Sequence, residues 1–233
     1  MKKIVFFTGA GVSVESGIPA FRDRLGLWKI NNPEEIASIK FWRINNANKL
    51  NMLTFHNQFR RQITNSQPNA MHKYIASLQV NYDVTVVTQN VDDFHERAGN
   101  LSVLHLHGNI MESRSSLNPK LVYPCISDIN IGDKCEKGSQ LRPNVVWFGE
   151  ELKVQDLNIA KEKISNCDIF IVIGTSLNVS PANELITYLA QSTELIIVDP
   201  NANEIGITRL NTKYFNLSAT DAIYELDNVL KEL

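Results

Sequence analysis

The first apolar run of the chain leads directly into a glycine-rich loop, and residues 4–23 read IVFFTGAGVSVESGIPAFRD. A short apolar strand that ends in Gly9-Ala10-Gly11 and precedes a helix is typical of a loop that seats a pyrophosphate. Glycine lets main-chain N–H groups approach the anion, and a helix N-terminus favours negative charge. The spacing departs from Gly-x-Gly-x-x-Gly, because Val14 stands at the third glycine position and the next glycine is Gly17. From this stretch alone, a tight turn without a ligand is an equally simple interpretation.

Composition narrows the class of protein. The chain has 233 residues, of which 43% are hydrophobic and 21% charged, as in ordinary globular proteins. A formal net charge of -2 argues against a dedicated nucleic-acid binder, which usually carries a basic face. No apolar run approaches the roughly 20 residues that span a bilayer, and the first run is too short for a signal peptide. Three cysteines make no disulfide framework. We therefore expect a reduced, cytoplasmic protein without nucleic-acid or membrane partners.

Short β-rich runs alternate with helical patterns along most of the chain. The runs are Lys3–Thr8, Asp83–Thr88, Ser102–Leu106, Ile169–Ile173 and Glu194–Asp199. Most are continuously apolar, which is typical of strands buried on both faces of a parallel sheet. Helical spacing occupies Asn69–Gln79, Asp156–Ser165, Pro181–Gln191 and Thr220–Leu233. This alternation predicts an α/β fold with a doubly wound parallel sheet.

Two segments interrupt the alternation. Residues 30–64 are polar, rich in Asn and helical in pattern, and residues 110–144 are irregular and hold two of the three cysteines. We predict that these two insertions form a second, smaller lobe, and that residues 1–29, 65–109 and 145–233 form the large domain. Ligands of such proteins bind in a cleft beyond the carboxyl ends of the strands.

Polar side chains stand where two of the predicted strands end. Gln89, Asn90 and Asp92 follow one strand, where they are suited to read amide and hydroxyl groups of a ligand; turn and helix-cap chemistry is the alternative. His105 and His107 lie on one face of the next strand. His107, at the strand end, is suited to take a proton at neutral pH, although a lone strand histidine is usually structural. No carboxylate or cysteine stands at metal-ligand spacing on that strand.

Other segments point to the same cleft. Gly174-Thr175-Ser176 follows an apolar strand and offers hydroxyls to phosphate, and Asn201 follows another strand beside an acidic residue, which suits a ribose. Phe21 and Arg22 stand just beyond the first glycine loop, where they are suited to cover a bound nucleotide. The alternative is that Phe21 belongs to the core and Arg22 to the solvated surface.

In combination, these segments resemble the sirtuins, the NAD-dependent protein-lysine deacylases. GAGVSVESGIPAFRD, TQNVD, HGNI, RPNVVWFGE, GTSLNVSPA and VDPN follow one another in the order and spacing of that family, over essentially the whole chain. The resemblance implies a Rossmann-like large domain that binds NAD and a small lobe that normally carries a structural zinc. It also implies that NAD is consumed, with release of nicotinamide and transfer of the acyl group to ADP-ribose.

The resemblance also implies roles for individual residues. It assigns cofactor binding to Gly9, Ala10, Gly11, Glu15, Phe21, Arg22, Gln89, Asn90, Asp92, Gly174, Thr175, Ser176, Asn201 and Ala219. His107 matches the general base, with Asn90 as the second catalytic residue. The resemblance assigns substrate binding to His107 and to the segment of Val146, Trp147, Phe148 and Gly149. That segment would pair with the substrate backbone as an added strand.

The chain departs from the family pattern in its small lobe. Sirtuins commonly place four zinc cysteines there as two Cys-x-x-Cys pairs. Here only Cys125 and Cys135 fall in that region; the partner position of Cys135 holds Gly138, and the first pair falls on Ser115, Ser116 and Leu117. A structural zinc site needs four nitrogen or sulfur ligands, so we expect no zinc.

A second departure concerns the acyl group. Sirtuins that prefer succinyl or malonyl groups carry Tyr-x-x-Arg in the helical insertion. His56 and Phe59 stand at those positions, and Arg60 is one residue out of register. Acetyl or a longer apolar acyl group is therefore expected. ADP-ribosyl transfer to protein, NAD hydrolysis and non-catalytic NAD sensing are the alternative functions, and the presence of Asn90, Asp92 and His107 favours deacylation over them.

Overall fold

The computed structural model describes residues 1–20, 33–178, 180–207 and 209–233. Phe21 and Arg22 therefore lie outside the described residues. The strands are β1 (Lys3–Thr8), β2 (Asp83–Thr88), β3 (Val103–His105), β4 (Gly108–Ser115), β5 (Val122–Pro124), β6 (Leu141–Val145), β7 (Ile169–Ile173), β8 (Glu194–Val198) and β9 (Thr212–Phe215). The α-helices are α1 (Pro33–Ile36), α2 (Ile39–Trp42), α3 (Asn46–Asn65), α4 (Ala70–Ser77), α5 (Phe94–Arg97), α6 (Val154–Ser165) and α7 (Ile223–Glu232).

Six parallel strands form the larger sheet, in the order β3-β2-β1-β7-β8-β9. Because side chains of a strand alternate between faces, β1 contributes to two cores. Ile4 and Phe6 pack with α4 and α7 on one face, and Val5 and Phe7 pack with α6 on the other. The predicted doubly wound α/β fold is confirmed. β9 was not predicted, because its four residues are only half-buried and mix polar with apolar side chains.

Two predicted helices have a different geometry. The segment after the first glycine loop is a seven-residue 3₁₀-helix, Ala10–Ser16, that ends at Gly17 in the left-handed conformation. The helix predicted over Pro181–Gln191 is also a 3₁₀-helix and is shorter, Ala182–Tyr188. The apolar spacing in both segments is correct for a buried face, but it does not distinguish 3.0 from 3.6 residues per turn over so few turns.

A three-stranded antiparallel sheet, in the order β5-β4-β6, lies in the segment that we predicted to be irregular. Its alternation is hidden because Ser113, Arg114 and Ser115 are all buried polar residues. This sheet packs with helices α2 and α3 around a third core, which includes Met52 and Trp147. The predicted smaller lobe is therefore present. The exact domain boundaries stay a prediction.

The topology brings several loops to one edge of the larger sheet. Since all six strands are parallel, their carboxyl ends and the loops after them lie at the same edge. The loops after β1, β2, β3, β7 and β8 begin at Gly9, Gln89, Leu106, Gly174 and Asp199. Within the described part of the chain, no helix combines the length and apolarity needed to cross a membrane.

Candidate active site

The loops after β1 and β7 cross in van der Waals contact, and this crossing requires glycine. The main-chain N–H of Gly11 donates to the carbonyl oxygen of Gly174 at 2.9 Å. A Cβ atom on Gly11 would stand 2.5 Å from the Cα of Gly174, and one on Gly174 would stand 2.5 Å from the nitrogen of Val12. Gly9 is equally confined, with Thr175 2.6 Å from such an atom. The crossing thus fixes the path of the first glycine loop, in which Gly9 is buried while Ala10 and Gly11 are half-buried.

Gln89 joins the loop after β2 to the loop after β7. Its side-chain oxygen accepts a hydrogen bond from the hydroxyl of Thr175 at 2.8 Å, and its main-chain nitrogen donates to Thr8 at 2.8 Å. The side-chain nitrogen of Gln89 is buried without a partner among the described residues. A buried donor of this kind usually has a ligand or a water as its acceptor. Gln89 therefore has a donor to offer to a ligand in the cleft.

Ser13 connects Asn90 and Asp92, which are both almost fully buried. The amide nitrogen of Asn90 donates to Ser13 Oγ and to the carbonyl oxygen of Gly9, each at 3.1 Å, and Ser13 Oγ donates to Asp92 at 2.9 Å. Ser13 was not among the predicted site residues. The sequence shows only a serine within the glycine-rich stretch, and serine is common in turns whether or not they bind a ligand.

Burial makes the carboxyl group of Asp92 unusually easy to protonate. Burial raises its pKa to about 6, although the hydrogen bonds from Ser13 and from the main chain of Phe94 act in the opposite direction. The bond from Phe94, two residues along the chain, is the turn role given above as the alternative, since the N-cap of α5 is Asp93. Asp92 thus stabilises a local turn and is also the acidic group of the cleft.

His107 is oriented by the backbone of the neighbouring loop. Its Nδ1 lies 2.8 Å from the carbonyl oxygen of Gln89. Because a carbonyl oxygen only accepts, Nδ1 carries the proton and Nε2 is the basic nitrogen. Burial lowers the pKa of His107 while the bond to Gln89 opposes that shift, so the ring is neutral at pH 7. Gly108 follows in the left-handed conformation, and a Cβ there would lie 2.0 Å from the carbonyl oxygen of Asn144.

The remaining predicted cofactor residues follow β1, β7 and β8, or lie close to them near Ala219. The carboxylate of Glu15 accepts hydrogen bonds from Ser218 Oγ at 2.9 Å and from the main chain and hydroxyl of Thr220. These contacts bring Glu15 beside Ala219, which is buried. Ala10 is half-buried, and Ser176 and Asn201 are exposed at the ends of their strands.

Several main-chain groups of the predicted substrate segment already form hydrogen bonds within the protein. The main-chain N–H of Phe148 donates to Ala37, and its carbonyl oxygen accepts from Ile39. Trp147 is buried, whereas Phe148 is 48% exposed. Val146 donates through its main chain to the carbonyl of His107. This segment thus links the two lobes and ends at Gly149, next to the cleft.

The region expected to hold zinc in sirtuins contains a hydrogen-bonded cluster instead. Ser115 Oγ and Ser139 Oγ lie 2.6 Å apart, and Cys135 Sγ lies 3.1 Å from Ser139 Oγ. Cys125 contacts the carbonyl of Ser127 through its sulfur. Over the described ranges, no three His, Cys, Asp or Glu side chains come close enough together to hold a metal ion.

Comparison with known proteins identifies the family. The profile of the Sir2 family matches residues 9–181. The chain belongs to the Sir2 family. The matched range includes both crossing glycine loops, Gln89 to Asp92 and His107.

Relatives and solved structures extend the Sir2 match to the whole chain. A Helicobacter pylori (strain J99) protein named NAD-dependent protein deacylase is 41% identical over 233 residues, covering 100% of this chain and 97% of its own. A protein of the same name from Bacteroides thetaiotaomicron is 39% identical, covering 99% and 98%. A crystal structure of a Sir2 homolog–NAD complex is 34% identical with a TM-score of 0.86, covering 99% and 90%. A Sir2 variant with a deacetylated p53 peptide and 3′-O-acetyl ADP-ribose is 30% identical with a TM-score of 0.80, covering 97% and 93%.

The Sir2 site of this chain fits a dinucleotide. Ala10 and Gly11 of the first glycine loop keep part of their surface accessible, the orphaned amide nitrogen of Gln89 needs an acceptor, and Asn90 and Asp92 present an amide and a carboxyl group. These are the group types that phosphate, ribose and carboxamide require. The donors and acceptors therefore suit the diphosphate, sugar and amide groups of NAD.

Proposed function

We propose that this Sir2-family chain is an NAD-dependent protein-lysine deacylase in which His107 is the general base. The observation that carries the proposal is the ring of His107. Its Nδ1–H bond to Gln89 leaves Nε2 as the basic nitrogen, and the ring is neutral at pH 7 because burial lowers its pKa. General base catalysis typically contributes about 10²–10⁴-fold in rate.

Each part of the site has one task in this reaction. Bound NAD supplies the sugar carbon that receives the acyl oxygen as nicotinamide departs. Gly9, Ala10, Gly11 and Gly174 to Ser176 bind the diphosphate and adjoining sugar, while Glu15, Asn201 and Ala219 belong to the adenosine half. Gln89, Asn90 and Asp92 orient the nicotinamide half, and His107 Nε2 takes a proton from a ribose hydroxyl. Phe21 and Arg22 remain assigned to the covering loop by resemblance alone.

The peptide substrate is assigned to the segment from Val146 to Gly149. A peptide that pairs with this segment extends it as an added strand. The main chain of Phe148 already bonds to residues 37 and 39, and that of Trp147 bonds to Glu150, so we propose that the peptide contacts the segment at Gly149 and at the exposed ring of Phe148. We expect the acyl-lysine to lie beside His107, whose carbonyl oxygen accepts a hydrogen bond from the main-chain N–H of Val146.

The acyl group is proposed to be uncharged. His56 is held neutral: its Nδ1 donates to Met52, its Nε2 accepts from the indole of Trp147 at 3.0 Å, and burial lowers its pKa to about 4. The guanidinium of Arg60 is buried and donates to Ile110, Asn57 and Ser127. His56 therefore offers no proton to an acyl carboxylate, and Arg60 uses its Nε and Nη1 donors within the protein, while its Nη2 is buried without a partner among the described residues.

The deciding experiment incubates the protein with NAD and an acetyl-lysine peptide and follows both products. Acetyl loss in step with nicotinamide release supports deacylation. Nicotinamide release without peptide would indicate NAD hydrolysis, label on protein from NAD would indicate ADP-ribosyl transfer, and neither product would indicate a sensor. His107→Ala should keep NAD binding and lose acetyl transfer by at least about 10²-fold. A succinyl-lysine peptide in the same assay should be the poorer substrate.

We also propose that the protein works without structural zinc and resides in the cytoplasm. The first proposal rests on the hydroxyl and thiol cluster of Ser115, Cys135 and Ser139. The second rests on three cysteines that are all unpaired and buried, as in reducing compartments. The net charge of -2 supports a protein substrate rather than a nucleic acid.

A further inference from the structure

Two imidazole rings hold the backbone of the loop that carries Asn90 and Asp92. His107 Nδ1 binds the carbonyl oxygen of Gln89, and His105 Nδ1 lies 2.9 Å from the carbonyl oxygen of the next residue, Asn90. The second nitrogen of His105, Nε2, lies 2.7 Å from a carboxylate oxygen of Glu96 on α5. Sequence analysis identified His105 only as a residue on the same face as His107.

The partners of His105 define its charge. A carbonyl oxygen and a carboxylate both accept, so both ring nitrogens of His105 carry protons and the ring is an imidazolium. His107 differs, because among the described residues only its Nδ1 has a hydrogen-bond acceptor of this kind. Two histidines, two residues apart on one strand, therefore have different protonation states and different tasks.

The surroundings of His105 agree with this charge. Burial lowers the pKa of His105, but the hydrogen bond and charge of Glu96, the carbonyl of Asn90 and the charge of Asp92 together outweigh burial and raise it. The other titratable group that faces it is His95, whose pKa burial lowers well below its ordinary value, so that ring stays neutral. Glu96 has a lowered pKa, since the pair with His105 outweighs its burial.

We propose that His105, oriented by Glu96, is a positioning residue that clamps the main-chain carbonyl of Asn90 and so sets the placement of the Asn90 and Asp92 side chains. The clamp completes a four-point attachment of Asn90. Its main-chain nitrogen donates to Thr88 Oγ1 at 3.0 Å, its amide donates to Gly9 and Ser13, and its carbonyl oxygen accepts from His105. The proposal rests on the proposed roles of Asn90 and Asp92 in the NAD site.

The placement of His105 makes a purely structural role a weaker explanation. Its side chain retains 11% of its accessible surface, and that of Glu96 retains 40%, so the pair lies at the rim of the fold rather than in a core. Because the Glu96 carboxylate is partly exposed, water can replace much of this interaction, and the contribution of the pair to global stability is modest. The geometric precision of Asn90 depends on it more directly, because displacement of about 1 Å in a positioned group can cost roughly 10²-fold in rate.

The test compares His105→Gln and Glu96→Gln with a control that breaks a surface ion pair on α7, Asp227→Asn. The single amide nitrogen of Gln at 105 cannot reach both acceptors and carries no charge, whereas Asp227 pairs with Lys231 at the surface, where the two side chains are 41% and 71% exposed. We expect His105→Gln to lower kcat/KM for NAD by at least roughly tenfold, with unchanged KM for the peptide and an unfolding midpoint close to wild type. Glu96→Gln should give a smaller loss, the double variant no more than His105→Gln alone, and Asp227→Asn none.

A spectroscopic measurement tests the charge independently of turnover. Ring ¹⁵N signals, assigned by their loss in the corresponding variants, should report two protonated nitrogens on His105 at pH 7 and one on His107. Any of three results would overturn the proposal: a singly protonated His105, a wild-type kcat/KM in His105→Gln, or a loss of kcat/KM that only follows a lowered unfolding midpoint.

The same variants test the clamp if the wild-type protein does not deacylate. If it only hydrolyses NAD, the rate of nicotinamide release replaces acetyl transfer as the measured quantity. If it only binds NAD, the affinity for NAD is measured instead. Failure of the proposed deacylation is thereby kept distinct from failure of the clamp.

Discussion

Gly174 illustrates how one missing Cβ atom decides the geometry of the site. Its φ angle is +62°, and it packs against Gly11 and Val12 at distances that no other residue allows. The crossing explains the glycines without reference to a ligand, because the N–H groups of Gly9 and Gly11 already donate to Ile173 and Gly174. The tight turn therefore accounts for these glycines by itself, and their role in binding phosphate stays a proposal.

Gly174→Ala should weaken both the fold and NAD binding. Its Cβ would stand 2.5 to 2.6 Å from main-chain atoms, which cannot move aside as a flexible side chain can. We expect a loss of about 1–3 kcal/mol in the free energy of unfolding, measured in urea, and weaker NAD binding by calorimetry. Gly138→Ala is the matched control, since Gly138 has a φ of +78° but open space around it. Equal losses in the two variants would mean that backbone strain, and not crowding, sets the requirement.

At the scale of secondary-structure elements, Glu150 connects two strands of the small sheet to the substrate segment. It accepts bidentate hydrogen bonds from Arg142 on β6, at 2.6 and 2.9 Å, and from Arg114 on β4, at 3.0 Å each. It also accepts from the main-chain nitrogen of Trp147 at 2.9 Å, and the Arg142 guanidinium stacks on the Trp147 ring. One carboxylate thus fixes the start of the segment assigned to the peptide.

Glu150→Gln should destabilise the protein by about 3–5 kcal/mol, because it leaves buried guanidinium charge without its counter-ion. Arg142 is 2% exposed, so water cannot take the place of the carboxylate. Urea unfolding measures the loss. Asp128→Asn serves as control: it breaks an ion pair with Arg61 whose side chains are 52% and 45% exposed, and it should cost about 0–1 kcal/mol. Similar losses for the two variants would contradict a special role for the buried cluster.

The small lobe provides a second prediction at this scale. Protein purified from zinc-containing medium should hold no stoichiometric zinc, and a chelator should leave its unfolding midpoint unchanged. Cys135→Ser should retain the hydrogen bond to Ser139 and the stability of the fold. Metal analysis decides the matter: one zinc per chain, lost in Cys135→Ser, would mean that the remaining thiols and hydroxyl groups form a metal site after all.

On the scale of the whole molecule, buried histidines link stability to pH. Burial lowers the pKa of His56 and His72 to about 4 and that of His95 still more clearly. Below their ordinary pKa of 6.5 the unfolded chain binds more protons at these sites, so stability falls as the pH falls. Asp92 and His105 act in the opposite direction, because their pKa values are raised in the fold. The pKa values of His107, Glu96 and Glu150 are lowered as well, so the groups that lose stability on acidification outnumber the two that gain it, and stability falls below pH 6.5.

Acidification from pH 7 to pH 5 should therefore lower the free energy of unfolding, with about 2 kcal/mol from each of His56 and His72. Urea unfolding at both pH values measures the difference. In His72→Gln the difference between the two pH values should shrink by about 2 kcal/mol, whatever the variant costs at pH 7. An unchanged difference would mean that His72 is protonated in the folded protein.

Local patterns in the sequence predicted the parts of the molecule that local physics controls. Continuous apolar runs predicted β1, β2, β7 and β8, because a strand buried on both faces needs no polar side. The antiparallel sheet escaped prediction, since the polar residues of β4 are buried against partners far along the chain, such as Glu150. Buried charge is satisfied by tertiary contacts, which leave no periodic signal.

By itself, the sequence determined the parallel sheet and the edge where the polar loops meet, because strand periodicity and chain direction are local properties. The tertiary structure alone decided that Ser13 connects Asn90 to Asp92, which nitrogen of His107 is basic, and that His105 is charged. The hydrogen-bond acceptors around a ring nitrogen determine whether that nitrogen carries a proton. Those acceptors come together only when residues distant in sequence are folded into contact.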